Sequence, residues 1–235
     1  MKKFILSIVV LLMGVCCTQA QDIKVSFTKL NDHFSSLNKV SYSISYAYYQ
    51  KTSDKKPLET STGQFKRLNN NFYSKIGDVE LIINEKYKVV IDNDTKHVVV
   101  EERQQANASE MFMVNLDSAL ALCSKISSKA TATQETFSLF FDSARYDYTQ
   151  VDVVINKNTS FIDKLVIYMV ATDYETNAVS YPKLEISLFN YTTSPIITEG
   201  FFSETNYVSI DTEGNVSLNK KYSAYRLLNT KVSKK

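Results

Sequence analysis

Residues 63–102 read GQFKRLNNNFYSKIGDVELIINEKYKVVIDNDTKHVVVEE. Short apolar runs and turn residues alternate through this stretch. Asn69-Asn70, Gly77-Asp78, Asn84-Glu85-Lys86 and Asp92-Asn93-Asp94 separate expected strands at 60–68, 71–76, 79–83, 87–91 and 97–102. Connections this short close hairpins, whereas a parallel crossover needs roughly a dozen residues or more. The stretch therefore predicts an antiparallel meander.

The pattern on the N-terminal side fits the same sheet. Val40, Tyr42, Ile44, Tyr46 and Tyr48 alternate with Ser41, Ser43, Ser45, Ala47 and Tyr49, which predicts a long half-buried strand. Ahead of it, Ile23, Phe27, Leu30, Phe34 and Leu37 form one helical stripe, with Asp22 available as cap. This predicts a helix at about 23–37. On the C-terminal side, Leu116, Ala119, Leu120, Cys123 and Ile126 share a face and predict a second helix at about 115–128. Strands are expected again at 135–141, 146–155, 161–170, 183–191, 205–210 and 222–230, with a frayed tail over 231–235. The fold class is α+β and mainly β: a curved antiparallel sheet, or incomplete β-barrel, covered by the N-terminal helix and the mid-chain helix.

The first twenty residues read as a secretory signal. Lys2 and Lys3 precede an uncharged apolar run from Phe4 to Val15, and Thr18-Gln19-Ala20 supplies small residues before a cut at Gln21. The run is shorter than the roughly 20 residues of a membrane-spanning helix, so cleavage is favoured over a retained anchor. Val15 and Cys16 precede the two leading cysteines, a poor context for lipidation. Residues 21–235 are then a single domain, with an extra C-terminal hairpin at about 211–230. Export, to the periplasm or beyond it, is the expected localisation, and no later stretch reads as a membrane span.

Removing residues 1–20 takes two lysines and no acid from 27 basic and 25 acidic residues, leaving 25 − 25 = 0. A neutral chain has no basic surplus to point to nucleic acid. Of the 3 cysteines only Cys123 stays, so no internal disulfide is expected.

The residues of reactive chemistry are sparse. His33 and His97 are isolated, and with one Cys they do not make a structural zinc set. Cys123 lies on an apolar stripe, where it reads as a small buried hydrophobe. Asp92-x-Asp94 resembles the start of a calcium loop, but Lys96 takes the next ligand place and no glycine follows. Gly63, Gly77, Gly200 and Gly214 are dispersed, which excludes a P-loop, a dinucleotide fingerprint and a Gly-x-Ser-x-Gly elbow. Neither metal nor cofactor is expected. Sequons at Asn93, Asn107, Asn158, Asn190 and Asn215 read as chance in an Asn- and Thr-rich chain. What stands out is aromatic content: 15 Tyr and 13 Phe, many on expected strands. They either pack on the helices or line a concave apolar surface that holds a ligand.

Residues 63–102 resemble the LolA-like family of outer-membrane lipoprotein carriers. The likeness rests on Gly63 opening a strand, Phe65 two residues on, basic Lys66-Arg67, the strand Glu80-Leu81-Ile82, the strand Val89–Asp92 and the valine-rich Val98–Val100. Residues 151–169 and 184–202 are similar to the family's later strands. Where the family carries Asp-Gly before an aromatic residue, this chain has Asn84-Glu85-Lys86-Tyr87. Arg67 is the nearest equivalent of the family's functional arginine. The resemblance implies a non-enzymatic periplasmic carrier whose apolar cavity holds acyl chains of lipoproteins or lipids. The expected lining is Phe27, Leu30 and Phe34 facing Tyr42, Ile44, Phe65, Leu81 and Val89, with Arg67 nearby. The alternative is an envelope interaction protein with the same fold, a barrel filled by its own side chains and a protein partner. A hydrolase stands third, with no convergent polar cluster selected by the sequence.

Overall fold

The computed structural model describes residues 25–30, 32–34, 36–103, 116–172, 175, 177–229 and 232. The expected signal at 1–20, the start of the first helix and most of the tail over 231–235 lie outside the described residues. Among those residues no helix is long and apolar enough to cross a membrane.

The chain is mainly β. Among the described residues, twelve strands form one sheet: β1 (Lys39–Tyr49), β2 (Glu59–Leu68), β3 (Asn71–Ile76), β4 (Val79–Ile83), β5 (Tyr87–Asp92), β6 (His97–Glu102), β7 (Lys125–Ala130), β8 (Gln134–Phe140), β9 (Tyr148–Asn156), β10 (Phe161–Met169), β13 (Lys183–Thr192) and β16 (Arg226–Leu227). Two further pairs stand apart, β11 (Ala171–Thr172) with β12 (Val179–Ser180) and β14 (Val208–Ile210) with β15 (Val216–Leu218). The order in the large sheet is β16-β6-β5-β4-β3-β2-β1-β13-β10-β9-β8-β7, with β16 and β7 as its ends, so it is not closed into a barrel. Helices are few and short: α1, helical at 25–30, 32–34 and 36, and α2 (Leu116–Leu122). The chain divides into two compact units. One contains α1, Tyr46–Thr60 and the chain from α2 to Ser187; the other contains Leu37–Ser45, the chain from Ser61 through β6, and everything after Leu188.

In the first unit, register aligns Ile186, Leu165, Val153 and Phe137 across four strands, and all four are buried. Alternation puts them on one face. The stripe of α1 packs there, with the Phe27 ring 5.2 Å from Phe137 and Phe34 edge-on to Phe161 at 6.4 Å. Burying side chains of this size is worth about 1.5–3 kcal/mol each. The opposite face is polar. Lys164 and Lys183 both pair with Glu185, at 3.2 and 2.8 Å, and the hydrogen bond from Lys183 leads in holding that carboxyl below its ordinary range.

In the second unit the meander of β2 to β6 appears as expected. Its register defines two rows. Phe65, Ser74, Leu81, Val90 and Val99 lie on one face, and Lys66, Tyr73, Ile82, Val89 and Val100 on the other. The second row is core. Tyr73, Ile82, Val89, Ile91, Val98 and Val100 pack against Phe202, Tyr207, Val208, Val216, Tyr222 and Val232 from the C-terminal segment.

Three local expectations are corrected. The second helix stops at Leu122, and Lys125–Ala130 is a strand, so Ile126 faces Leu139 instead of continuing the stripe. Ser124, Ser127 and Ser128 compete poorly for helix, and Ser124 donates from both N–H and hydroxyl to the Phe140 carbonyl, at 2.8 and 3.1 Å. The C-terminal hairpin is β14–β15, overlapping the expected 211–230 but shifted toward the N-terminus. Its turn is held by Asp211, whose Oδ1 accepts from the N–H groups of Glu213 and Asn215. Tyr222, expected on a strand, is a buried core residue in a 3₁₀ turn. Finally, β16 joins β6 in parallel. Short loops exclude parallel pairing, but β16 arrives from far along the chain, so the rule does not reach it. The Arg226 and Leu228 N–H groups donate to the Lys96 and Val98 carbonyls at 2.7 and 2.9 Å, and Asn229 Nδ2 reaches the Val100 carbonyl at 3.2 Å. Three alternate acceptors, one just before β6 and two along it, are thereby satisfied.

Gly214 has φ +82°, and a Cβ there would meet the Val232 carbonyl oxygen at 2.4 Å. Gly214→Ala is expected to cost about 2 kcal/mol or more, read as a lower urea midpoint. Alkali gives a second test. Burial, then the charges of Glu80 and Tyr222, push the Tyr207 phenol up to about 12. The unfolded chain releases that proton near pH 10, as about 10 is the ordinary tyrosine value. Between these values the folded state holds more protons, so stability falls as pH rises through the window. Thermal melts of Tyr207→Phe should show a shallower loss over that range than the parent.

Candidate functional site

The site residues expected from sequence distribute over both units. Phe27, Leu30 and Phe34 are buried in the first unit, on α1. Tyr42, Ile44, Phe65, Arg67, Leu81 and Val89 belong to the second. Within the second unit one correction follows from register. Val89 lies on the face opposite Phe65 and Leu81, in the core formed with the C-terminal segment. Phe65 is in β2, Ser74 in β3 and Leu81 in β4, so two hairpins set the parity, and a step from Leu81 reaches Val90, not Val89.

The face that carries Phe65 is aromatic at one side and aliphatic at the other. Tyr42 stacks on Phe65 at 4.8 Å with planes 20° apart, Tyr191 sits 5.0 Å from Tyr42, and Phe72 is 6.2 Å from Phe65. Ile44 follows Tyr42 on the same side of β1 and is buried. Leu81, Val90 and Val99 continue the face and are half-buried, while Val79 is exposed.

Arg67 is the only buried charged residue in the core of the described residues, at 5% exposure. It stands opposite Phe72 across the β2–β3 hairpin, with its guanidinium 5.9 Å from the centre of that ring. Its Nε donates to the Asn69 carbonyl at 2.9 Å. Burial lowers its pKa from the ordinary value, though an arginine remains charged at neutral pH. Arg103 approaches the same ring at 5.6 Å and donates from Nη1 to the Asn70 and Asn84 carbonyls, at 2.8 and 3.0 Å. Phe72 thus holds two guanidinium groups against its ring, each anchored on a turn carbonyl. Further along the row, past the buried Ile83, Lys88 pairs with Glu101 at 3.2 Å, both half-exposed. An apolar face ending in fixed cations can take an acyl chain with a carbonyl or anionic end.

Phe72 reads in the sequence as one of the sheet's aromatic residues but not as part of the expected lining, and Tyr191 and Arg103 carry no expectation there. Phe72 was findable, because pairing around the Asn69-Asn70 turn sets it against Arg67. Arg103, just past β6, carries no such signal.

Other polar features offer less. An open cleft of about 540 Å³ is lined by Ser61, Thr62, Gly63, Gln64, Lys75, Gly77 and Asp78, a polar lining unsuited to acyl chains. Among the described residues no group of three or more His, Cys, Asp or Glu could hold a metal. His33 packs edge-on to Phe161 at 5.1 Å, and His97 Nδ1 lies 2.9 Å from Thr95 Oγ1. Cys123 donates from Sγ to the Leu120 carbonyl at 3.3 Å, and burial pushes its thiol up.

No family model and no curated protein matches the sequence. Solved structures do. An uncharacterized conserved protein from Thermus thermophilus is similar with a TM-score of 0.46 and 9% identity, over 75% of this chain and 92% of that one. A LolA superfamily protein from Nitrosomonas europaea is similar with a TM-score of 0.35 and 6% identity, over 76% and 98%. The lipoprotein LppX from Mycobacterium tuberculosis is similar with a TM-score of 0.37 and 8% identity, over 74% and 97%. At such identities no role passes from their side chains to those named above.

The raised thiol gives a direct check of local packing. Alkylation of Cys123 near pH 8, followed by mass mapping, should be slower in the native chain than in urea. Equal rates would mean that the thiol is as open as in the unfolded chain.

Proposed function

We propose that this chain is a non-enzymatic, exported binding protein of the LolA-like kind, and that it carries acyl chains of lipids or lipoproteins on the Tyr42–Phe65–Leu81 face. The observation that carries the reading is the make-up of that face. Stacked aromatics adjoin half-exposed aliphatic side chains, with the buried Arg67 guanidinium at one end. Each CH₂ removed from water contributes about 0.8 kcal/mol, so a single long chain supplies ample binding energy. Arg67 and Arg103 would meet the polar end of the cargo. The N-terminal signal supports export to the periplasm.

A second reading has an observation of its own. Phe27, Leu30 and Phe34 are almost wholly buried on their own unit's strands, and Tyr42, Phe65 and Phe72 touch one another. Side chains that satisfy one another fill space a ligand would use. The chain would then be an envelope interaction protein with a protein partner.

Native mass spectrometry of chain produced by export and purified without detergent separates the two. The carrier reading expects adducts of acyl-chain or phospholipid mass, lost on delipidation and regained with added lipid. Leu81→Trp should remove most of that adduct while leaving the melt nearly unchanged, because Leu81 is only half-buried. Val89→Ala should keep the adduct and cost about 2 kcal/mol of stability, because Val89 is core on the other face. A clean apo mass that refuses lipid would sink the carrier reading and leave the filled one.

A further inference from the structure

One tip of the first unit is built from the β1–β2 loop and the strand β12. Thr52 donates from its backbone N–H and from its hydroxyl to the Tyr181 carbonyl, both at 2.8 Å. Leu58 closes the same loop through the Tyr48 carbonyl at 2.7 Å. The loop is thus tied to the residue after β12 through Thr52, while Lys51, Lys55, Lys56 and Leu58 remain exposed.

What they present is unusual for a surface loop. Leu58 is 61% exposed, Val179 53% and Tyr181 58%. Val179 and Tyr181 are two residues apart in extended chain, so they project to the same side. Lys51, Lys55 and Lys56, in the same loop as Leu58, are exposed. The loop's own acid is turned inward: Asp54 Oδ2 accepts from the Lys51 N–H at 2.9 Å, closing the turn. Glu59, at the start of β2, and Glu175, between β11 and β12, are exposed acids. Three exposed lysines therefore share a loop with exposed Leu58, and that loop is tied to Tyr181, in a chain whose net charge after residue 20 is zero.

Exposed large apolar side chains joined to a lysine-bearing loop match the chemistry of a bilayer interface. Tyr and Leu enter the boundary between headgroups and acyl chains, and lysines pair with anionic headgroups while their stems stay in apolar surroundings. We propose that this tip docks on an anionic phospholipid surface, with Leu58, Val179 and Tyr181 entering the boundary layer and Lys51, Lys55 and Lys56 engaging headgroups. The proposal stands on the tip alone and does not depend on the carrier reading.

Vesicle flotation tests it. The probe is phosphatidylglycerol–phosphatidylethanolamine vesicles, with phosphatidylcholine vesicles as the neutral comparison. The wild-type chain should float with the anionic vesicles, less so at raised salt, and weakly with the neutral ones. The triple variant K51E/K55E/K56E should lose about a hundredfold in apparent affinity, from the usual contribution of each basic residue near an anionic surface. L58D/Y181D should lose tenfold or more. Any apolar N-terminal residue is common to all variants, so the comparison isolates the tip. Circular dichroism melts establish that the variants are folded. If either aspartate lowers the melt, L58S/Y181S repeats the comparison. A wild type that stays with the buffer overturns the proposal and leaves the apolar tip to a protein partner. So does a wild type that floats no better than the folded variants.

Discussion

The strands from β4 to β6 are largely apolar on both faces, and the rest of the second unit answers that one constraint. A strand with a wet face can leave polar residues outward, but here Ile82, Val89, Ile91, Val98 and Val100 alternate with Leu81, Val90 and Val99. Each face must therefore be covered or used. The C-terminal segment covers one: Phe202, Tyr207, Val208, Val216, Tyr222 and Val232 pack onto it, and Lys66 lies 4.5 Å above the Phe201 ring. The same segment then seals the edge of β6, where unpaired acceptors would otherwise recruit another strand. Gly214 permits the closure, because only a residue without Cβ lets the Val232 carbonyl approach so closely.

The other face carries the chemistry. Its aromatic side is ordered by rings that stack on one another, and its polar end by two guanidinium groups that share Phe72. A buried arginine is costly unless its donors are met, and the turn after β2 supplies the Asn69 carbonyl. The hairpin thereby does two jobs. It sets the strand register, and it anchors a fixed positive charge beside an apolar surface. The first unit solves a simpler problem: one apolar face covered by α1 and one polar face carrying the Lys164–Glu185–Lys183 ladder.

Much of this was legible from local pattern. The period-two runs and their turn residues located β1 to β6 and β8 to β10 nearly to the residue, because Asn, Asp and Gly punctuate the strands sharply. The stripe of α1 was legible for the same reason. Where the pattern failed, a competing local rule won. Ile126 continues the helical spacing from Cys123, yet the serines around it favour extended chain, and β8 was there to pair. Tyr222 reads as part of a strand, but its environment is a core that only the folded segment creates.

Sequence alone determined the number and direction of most strands, because alternation and turn chemistry act over a few residues. It also determined that the sheet would be rich in aromatic side chains and poor in reactive ones. Tertiary structure decided which face each residue serves. Val89 and Leu81 look equivalent in the sequence, but hairpin register puts them on opposite sides, and only the path of the last forty or so residues selects which side becomes core. It also decided that β16 pairs in parallel, that Arg103 reaches the ring of Phe72, and that the loop carrying Leu58 is tied to Tyr181. Each of these joins residues far apart in the chain, and a periodicity of two or 3.6 residues carries no information over such separations.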